Sequence, residues 1–420
     1  MRGVAIGAFL LSLFLAGLET HSNSGEAAAG AAEPSDGGTG DRERFGRLMR
    51  TRAVTPVHRR PHVRSRLIAR IYPGAVLRLA ERGKGRGCPG TWMERAGGGY
   101  ICSRKLRSTA DESPAPAERD RPEILEGVEI YRVVEGGARL YRKKRHIWQG
   151  RTHIFLIRGA VLSVVETFRR FGGEFHRTRE GWFAEAANTE KLPPPTPSLA
   201  VEPAPGEEPP DAIAIEPRVQ VVARSERDRS EPLRTLERWS VVDLDEDAAN
   251  DFPEGMLAVA GGGLVSDEHV ARFREPSMPE DLAEGERWIA VDLAEQLLHA
   301  REGRRTLRLV PCSTGRKDNT RPGEYRVEWK RRLQTMRPRG GHLRVEDVQY
   351  VMYFERKRSI AIHAAHWHDD FGHPVSHGCV NLPVADARWL YEWSAPLSLP
   401  EDSESFSTPG DPGTRVVVFR

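Results

Sequence analysis

The sequence predicts a mainly β protein that contains at least one helix. Three observations carry that expectation. Gly and Pro number 40 and 30 among 420 residues, a supply of turn formers that interrupts long helices. Short apolar segments alternate at period two, most cleanly in Thr306-Leu307-Arg308-Leu309-Val310. Three segments share one pattern, a Gly turn followed by apolar residues at strand spacing and a polar stretch. They end at Gly97–Ser103, Gly181–Ala184 and Gly261–Asp267. At roughly 100–200 residues per domain, the length suggests two to four domains.

Read in order, the chain opens with Arg2, the apolar stretch Val4–Leu18, and then small and polar residues. This is the pattern of an export signal, assigned to residues 1–30. Residues 31–65 are rich in Gly, Ala, Ser and then Arg, and read as a disordered basic stalk. Small β units are expected over 66–110, 125–195 and, in divergent form, 211–276. Eight prolines between Pro193 and Pro210 place a semi-rigid linker at 196–210. From 286 to 400, strands recur at Trp288–Leu293, Thr306–Val310, Tyr325–Val327, Val348–Phe354 and Ser359–Ile362. A helix follows at Val384–Trp393, bounded by Pro383 and Pro396. Residues 401–420 are left as a C-terminal tail.

Composition excludes some functions. Lys and Arg total 63 against 60 Asp and Glu, so the net charge of +3 gives no whole-chain case for nucleic-acid binding. No internal apolar run approaches the roughly 20 residues that cross a bilayer, so the reading is of an exported protein without an integral membrane domain. Four cysteines are present. Outside the cytoplasm, Cys88 and Cys102, 14 positions apart and flanked by Gly and Pro, are expected to form a disulfide. Cys312, on a strand without a basic neighbour before Arg316, reads as a buried apolar thiol.

The residues from Ile362 to Asn381 hold five of the 14 histidines and Cys379. One reading is a cysteine nucleophile with a histidine base. An adjacent imidazole raises the small thiolate fraction of a thiol and takes its proton. His363 closes a strand, and Gly378 before Cys379 permits a tight turn that aims backbone amides at one point, as an oxyanion hole requires. A zinc site drawing on His366, His368, His373, His377, Asp369 and Cys379 is the second reading, weakened by the absence of H-E-x-x-H spacing. A structural, hydrogen-bonded loop is the third, and suits His366, His368 and His373 individually.

Ser376-His377-Gly378-Cys379-Val380-Asn381, preceded by His363, resembles the signature of the L,D-transpeptidases of the YkuD fold. Trp288–Leu293, Ser313-Thr314-Gly315, Pro322–Tyr325 and Trp367–Gly372 extend the resemblance. It implies a β-sandwich-like catalytic domain with no metal or other cofactor, acting on peptidoglycan stem peptides in the periplasm or cell envelope. It also implies Cys379 as nucleophile and His363 as base, with the amides of His377, Gly378 and Cys379 forming the oxyanion hole. Ser376, His377 and Asn381 would order the loop, and Trp367, His368 and Tyr353 would contact substrate. Ala364 follows the base, so a backbone carbonyl or His377 must orient His363. A hydrolase on the same fold, using water as acceptor, is the alternative. The three N-terminal segments resemble bacterial SH3-like barrel modules, which would contact wall polymers or proteins.

Overall fold

The computed structural model describes residues 44–110, 127–225, 229, 231–245, 247–248, 252–338, 341–399 and 401–420. The expected export signal, and the stalk through residue 43, lie outside them. Among the described residues the protein is mainly β, and no helix is long and apolar enough to cross a membrane.

The C-terminal region is a sandwich of two sheets. One has five strands in the spatial order Arg305–Pro311, Leu297–Glu302, Arg287–Asp292, Arg415–Phe419 and Gly323–Arg326. The other brings Asp402–Phe406, Trp329–Met336, Val345–Glu355, Ile360–Ala364 and Val380–Leu382 side by side. Their facing residues form the core, including Ile289, Val291, Leu298, Met352, Phe354, Ile362, Val380 and Val418. The helix Val384–Trp393 buries Ala387, Leu390 and Tyr391 against the same cluster, giving it one apolar stripe at helical spacing.

The expected tail is therefore part of the domain. Arg415–Phe419 runs parallel to Arg287–Asp292 and antiparallel to Gly323–Arg326, with Val416 and Val418 buried. Its apolar run Val416–Val418 suits a strand covered on both faces. Within the stalk reading, Arg47–Thr51 and Thr55–His58 are strands instead. Arg47–Thr51 pairs with Val76–Gly83 and Leu106–Ser108, and Thr55–His58 pairs with Leu67–Ile71. Arginine stems cover apolar surface while their heads reach water, which hid these strands behind a basic composition.

Each of the three N-terminal β units has its own apolar cluster. Leu79, Met93 and Ile101 belong to the first, Leu140, Leu156 and Leu162 to the second, and Val219, Val221 and Val265 to the third. Cys88 and Cys102 are joined by a disulfide in the first. Among the described residues, none of these units closes into the expected barrel. Sheet edges that closure would remove are instead continued by the catalytic region. Leu67–Ile71 pairs with Asp402–Phe406, and Val161 pairs with Val345, so that 19 strands among the described residues share one hydrogen-bonded sheet.

The proline-rich segment is docked rather than a spacer. Ser198 Oγ and the Leu199 amide donate to the carboxylate of Asp386 at 2.5 and 2.8 Å, and Val201 pairs with Leu309. Polyproline geometry leaves backbone groups unpaired within the segment, and here the Leu199 amide and both backbone groups of Val201 are satisfied by the catalytic region.

Candidate active site

The site begins with strand alternation. Ile360, Ile362 and Ala364 enter the core together with Val380 and Leu382. Residues between them must leave by the opposite face. That face carries Ala361 and Cys379, packed with Val351, Tyr353, Trp329 and Trp367. The parallel register sets His363 opposite Asn381 and Ile362 opposite Val380. Cys379, two positions before Asn381, thus lies on the same face as His363.

His363 is 2% exposed, and its Nδ1 lies 2.9 Å from the Ala364 carbonyl oxygen. A carbonyl can only accept, so Nδ1 carries the proton and Nε2 keeps its lone pair. Of the two orienting groups the sequence left open, the backbone carbonyl fills the role, while the His377 side chain is exposed. Burial pushes the His363 imidazole down to about 4, against the Ala364 bond, which raises it; His368 adds a smaller downward push. Burial likewise pushes the Cys379 thiol up to about 11, opposed by the Ala361 backbone amide. Its Sγ faces the Ser359 carbonyl oxygen at 3.8 Å. Between these values both groups rest uncharged. A thiol already ionised by its neighbour is not the resting state, because desolvation disfavours both charges.

The turn before Cys379 is braced by Ser376. Its hydroxyl donates to the Cys379 carbonyl at 2.6 Å and accepts from the Gly378 amide at 2.9 Å. The Gly378 amide is thereby engaged, which removes it from the expected oxyanion donors. Gly378 sits at φ +142°, and a Cβ there would come within 2.5 Å of Ile360 Cδ1, so the position requires glycine. A second brace runs from the Gly315 amide to Thr320 Oγ1 and on to the Gly378 carbonyl, each at 2.8 Å. Ser313 and Asn381 exchange both backbone bonds, and Gln296 holds Thr314 through its amide oxygen (2.8 Å) and nitrogen (2.9 Å). Ser313-Thr314-Gly315 was visible as a motif. Thr320 and Gln296 were not, since their partners are distant in sequence.

Trp367 packs over His363 with ring centroids 5.8 Å apart and is half-buried. Its ring also meets His366 and His368 edge-on. The Asn381 side-chain amide lies 2.9 Å from His368 Nε2, while the Asp370 amide donates to His368 Nδ1 at 3.2 Å. Burial lowers His368 to about 4 against the opposing pull of Asp370 and Asp369. Tyr353 is buried in the cluster that includes Cys379, and its hydroxyl donates to Gln334 Oε1 at 3.0 Å. Cys312 is fully buried, with its thiol pushed well up by desolvation. Its carbonyl accepts from the Gly372 amide at 2.8 Å, which ties down the loop between His363 and Cys379. Among the described residues, no three His, Cys, Asp or Glu side chains converge as a metal-ligand group.

Residues 286–418 match the family model of the L,D-transpeptidase catalytic domain, YkuD. Similar solved structures include an L,D-transpeptidase from Xylanimonas cellulosilytica, 22% identical over 34% of this chain and 65% of that one, with a TM-score of 0.25. Another, from Mycobacterium tuberculosis, is 20% identical over 40% of this chain and 68% of that one, with a TM-score of 0.26. A mutant of the Enterococcus faecium enzyme is 20% identical over 32% of this chain and 50% of that one, also at 0.26. This chain thus spans between half and about two thirds of those structures. No curated protein matches. The sandwich is an L,D-transpeptidase catalytic domain at the level of the family.

Proposed function

We propose that this chain is an exported, cysteine-dependent L,D-transpeptidase acting on peptidoglycan stem peptides. The observation that carries the reading is the shared face of His363 and Cys379, with Nδ1 committed to Ala364 and Nε2 left as base. The uncharged pair suits a proton transfer that accompanies attack. Sγ bonds to the carbonyl carbon of the L,D amide as its proton passes to His363 Nε2. The amides of His377 and Cys379 then face the oxyanion, and each such donor is worth about 2.7–4 kcal/mol. The C–N bond breaks, the imidazolium protonates the departing D-amino acid, and a thioester remains. An amine of a neighbouring stem attacks that thioester and gives its proton to His363, and the C–S bond breaks as the imidazolium returns that proton to the leaving sulfur, restoring the thiol. The apolar N-terminal stretch supports export, and the β units supply surfaces for wall polymers or proteins.

Incubation with a disaccharide tetrapeptide tests the reading. Cross-linked dimers in the mass spectrum are expected, with loss of turnover in Cys379→Ala. Tripeptide alone would assign water as the acceptor. A carbapenem adduct on Cys312, or no adduct, would overturn the nucleophile.

A further inference from the structure

We propose that the second and third β units complete the active site by holding the loop His366–His373 over His363, with Arg132 and Arg238 as positioning residues. This rests on the assignment of the Cys379–His363 pair above.

The loop leaves the strand that carries the base and returns towards the turn that carries the nucleophile. Within the sandwich it is tied at Gly372 to the Cys312 carbonyl and at His368 to Asn381. Its remaining holds come from outside the sandwich. From the second unit, Arg132 Nη2 donates to the Trp367 carbonyl at 3.1 Å. From the third, Arg238 bridges two segments. Its Nε donates to the Ile215 carbonyl at 2.8 Å, its Nη2 to the Asp369 carbonyl at 2.9 Å, and its Nη1 to Asp369 Oδ2 at 3.3 Å. The guanidinium also lies over the Trp239 ring at 4.2 Å, and Trp239 packs against the cluster of Leu199, Ala365 and Phe371. Ile215 closes on Gly372 so tightly that a Cβ there would fall 2.8 Å from its side chain.

Bonds from a guanidinium to a carbonyl are charge-assisted and stronger than neutral ones. Asp369 keeps its side chain 70% exposed, so its ion pair adds little and the carbonyl bond does the holding. The two arginines therefore fix the backbone at Trp367 and Asp369, on either side of His368. Trp367 is the ring that shields His363, so a shift of its backbone admits water to the imidazole. The titratable groups around His363 are Cys379 on the turn before the neighbouring strand, His366 and His368 on the loop, and Tyr353 on Val345–Glu355; Asp347 acts on His366.

The test uses the full chain and iodoacetamide, which needs no stem peptide. Alkylation of Cys379, located by peptide mass spectrometry, is followed against pH in the wild type and in Arg132→Ala, Arg132→Lys, Arg238→Ala, Arg238→Lys and His363→Ala. With the loop held, the acid limb belongs near pH 4. With it released, a hydrated imidazole moves towards its ordinary value, and alkylation at pH 5, taken relative to each variant's own neutral-pH plateau, falls about tenfold for a shift of roughly two units. Both alanine variants should show this with unfolding midpoints unchanged. Arg132→Lys should restore the profile, because one donor serves one carbonyl. Arg238→Lys should not, because one ammonium cannot span Ile215 and Asp369. Alanine variants that keep the wild-type limb, or that move it only alongside a lowered midpoint, would overturn the proposal. An unchanged profile in His363→Ala would overturn instead the assignment of the pair, and the proposal with it.

Discussion

Nδ1 of His363 is bonded to the carbonyl oxygen of the very next residue, Ala364, at 2.9 Å. The bond fixes the tautomer without a carboxylate, so no acidic side chain adds charge to the imidazole, and burial dominates its titration. The free base is present above about pH 4 and is lost below it. The acid limb of kcat/KM should therefore lie near 4, with a plateau through neutrality. A limb between 6 and 7 would contradict this.

Removing the Ser376 hydroxyl breaks two bonds that shape the nucleophile turn. Ser376→Ala should destabilise the chain by about 1–3 kcal/mol, since the Gly378 amide loses its acceptor. Gly378→Ala should be worse, because its φ and the approach of Ile360 both reject a Cβ. Denaturant titration of the two variants ranks them. Equal stability to wild type in Gly378→Ala would show that the turn is not held as described.

The first β unit is bound to the sandwich through a buried pair, Arg95 Nη1 and Asp402 Oδ1 at 2.5 Å. Asp402→Ala leaves the buried guanidinium with only the longer contact to Glu401 at 3.6 Å and should cost about 3 kcal/mol. Limited proteolysis should then release residues 44–110 ahead of the rest. Simultaneous cleavage throughout would place the weak point elsewhere.

Glu346 is buried between the second unit and the sandwich, where desolvation raises its carboxyl to about 7 against the pull of Arg344. A raised value means that the folded chain holds this proton more tightly than the unfolded one. Its contribution to stability is thus largest below about 4.5 and declines as pH climbs to about 7. Glu346→Gln should flatten the unfolding free energy over that window. An undiminished decline in the variant would assign the effect to other groups.

Much of the sandwich was legible because its strands alternate, and the tight turn at Ser376–Cys379 because glycine, serine and cysteine stand together. What escaped depended on partners distant in sequence. Arg132 and Arg238 look like ordinary surface cations until the fold brings Trp367 and Asp369 to them. Ser198 and Leu199 sit in a proline run that gives no hint of Asp386. The Gly378 amide looked free because only the Ser376 rotamer shows its acceptor. The strands at 47–51 and 55–58 were masked by arginines, whose charge outweighs their stems in any composition average.

The strand Arg415–Phe419 lies between two strands made far earlier in the chain. As synthesis proceeds, Arg287–Asp292 emerges with one edge open until its distant parallel partner, Arg415–Phe419, has been made. Contacts of such long sequence separation slow folding and leave apolar edges open to wrong pairings.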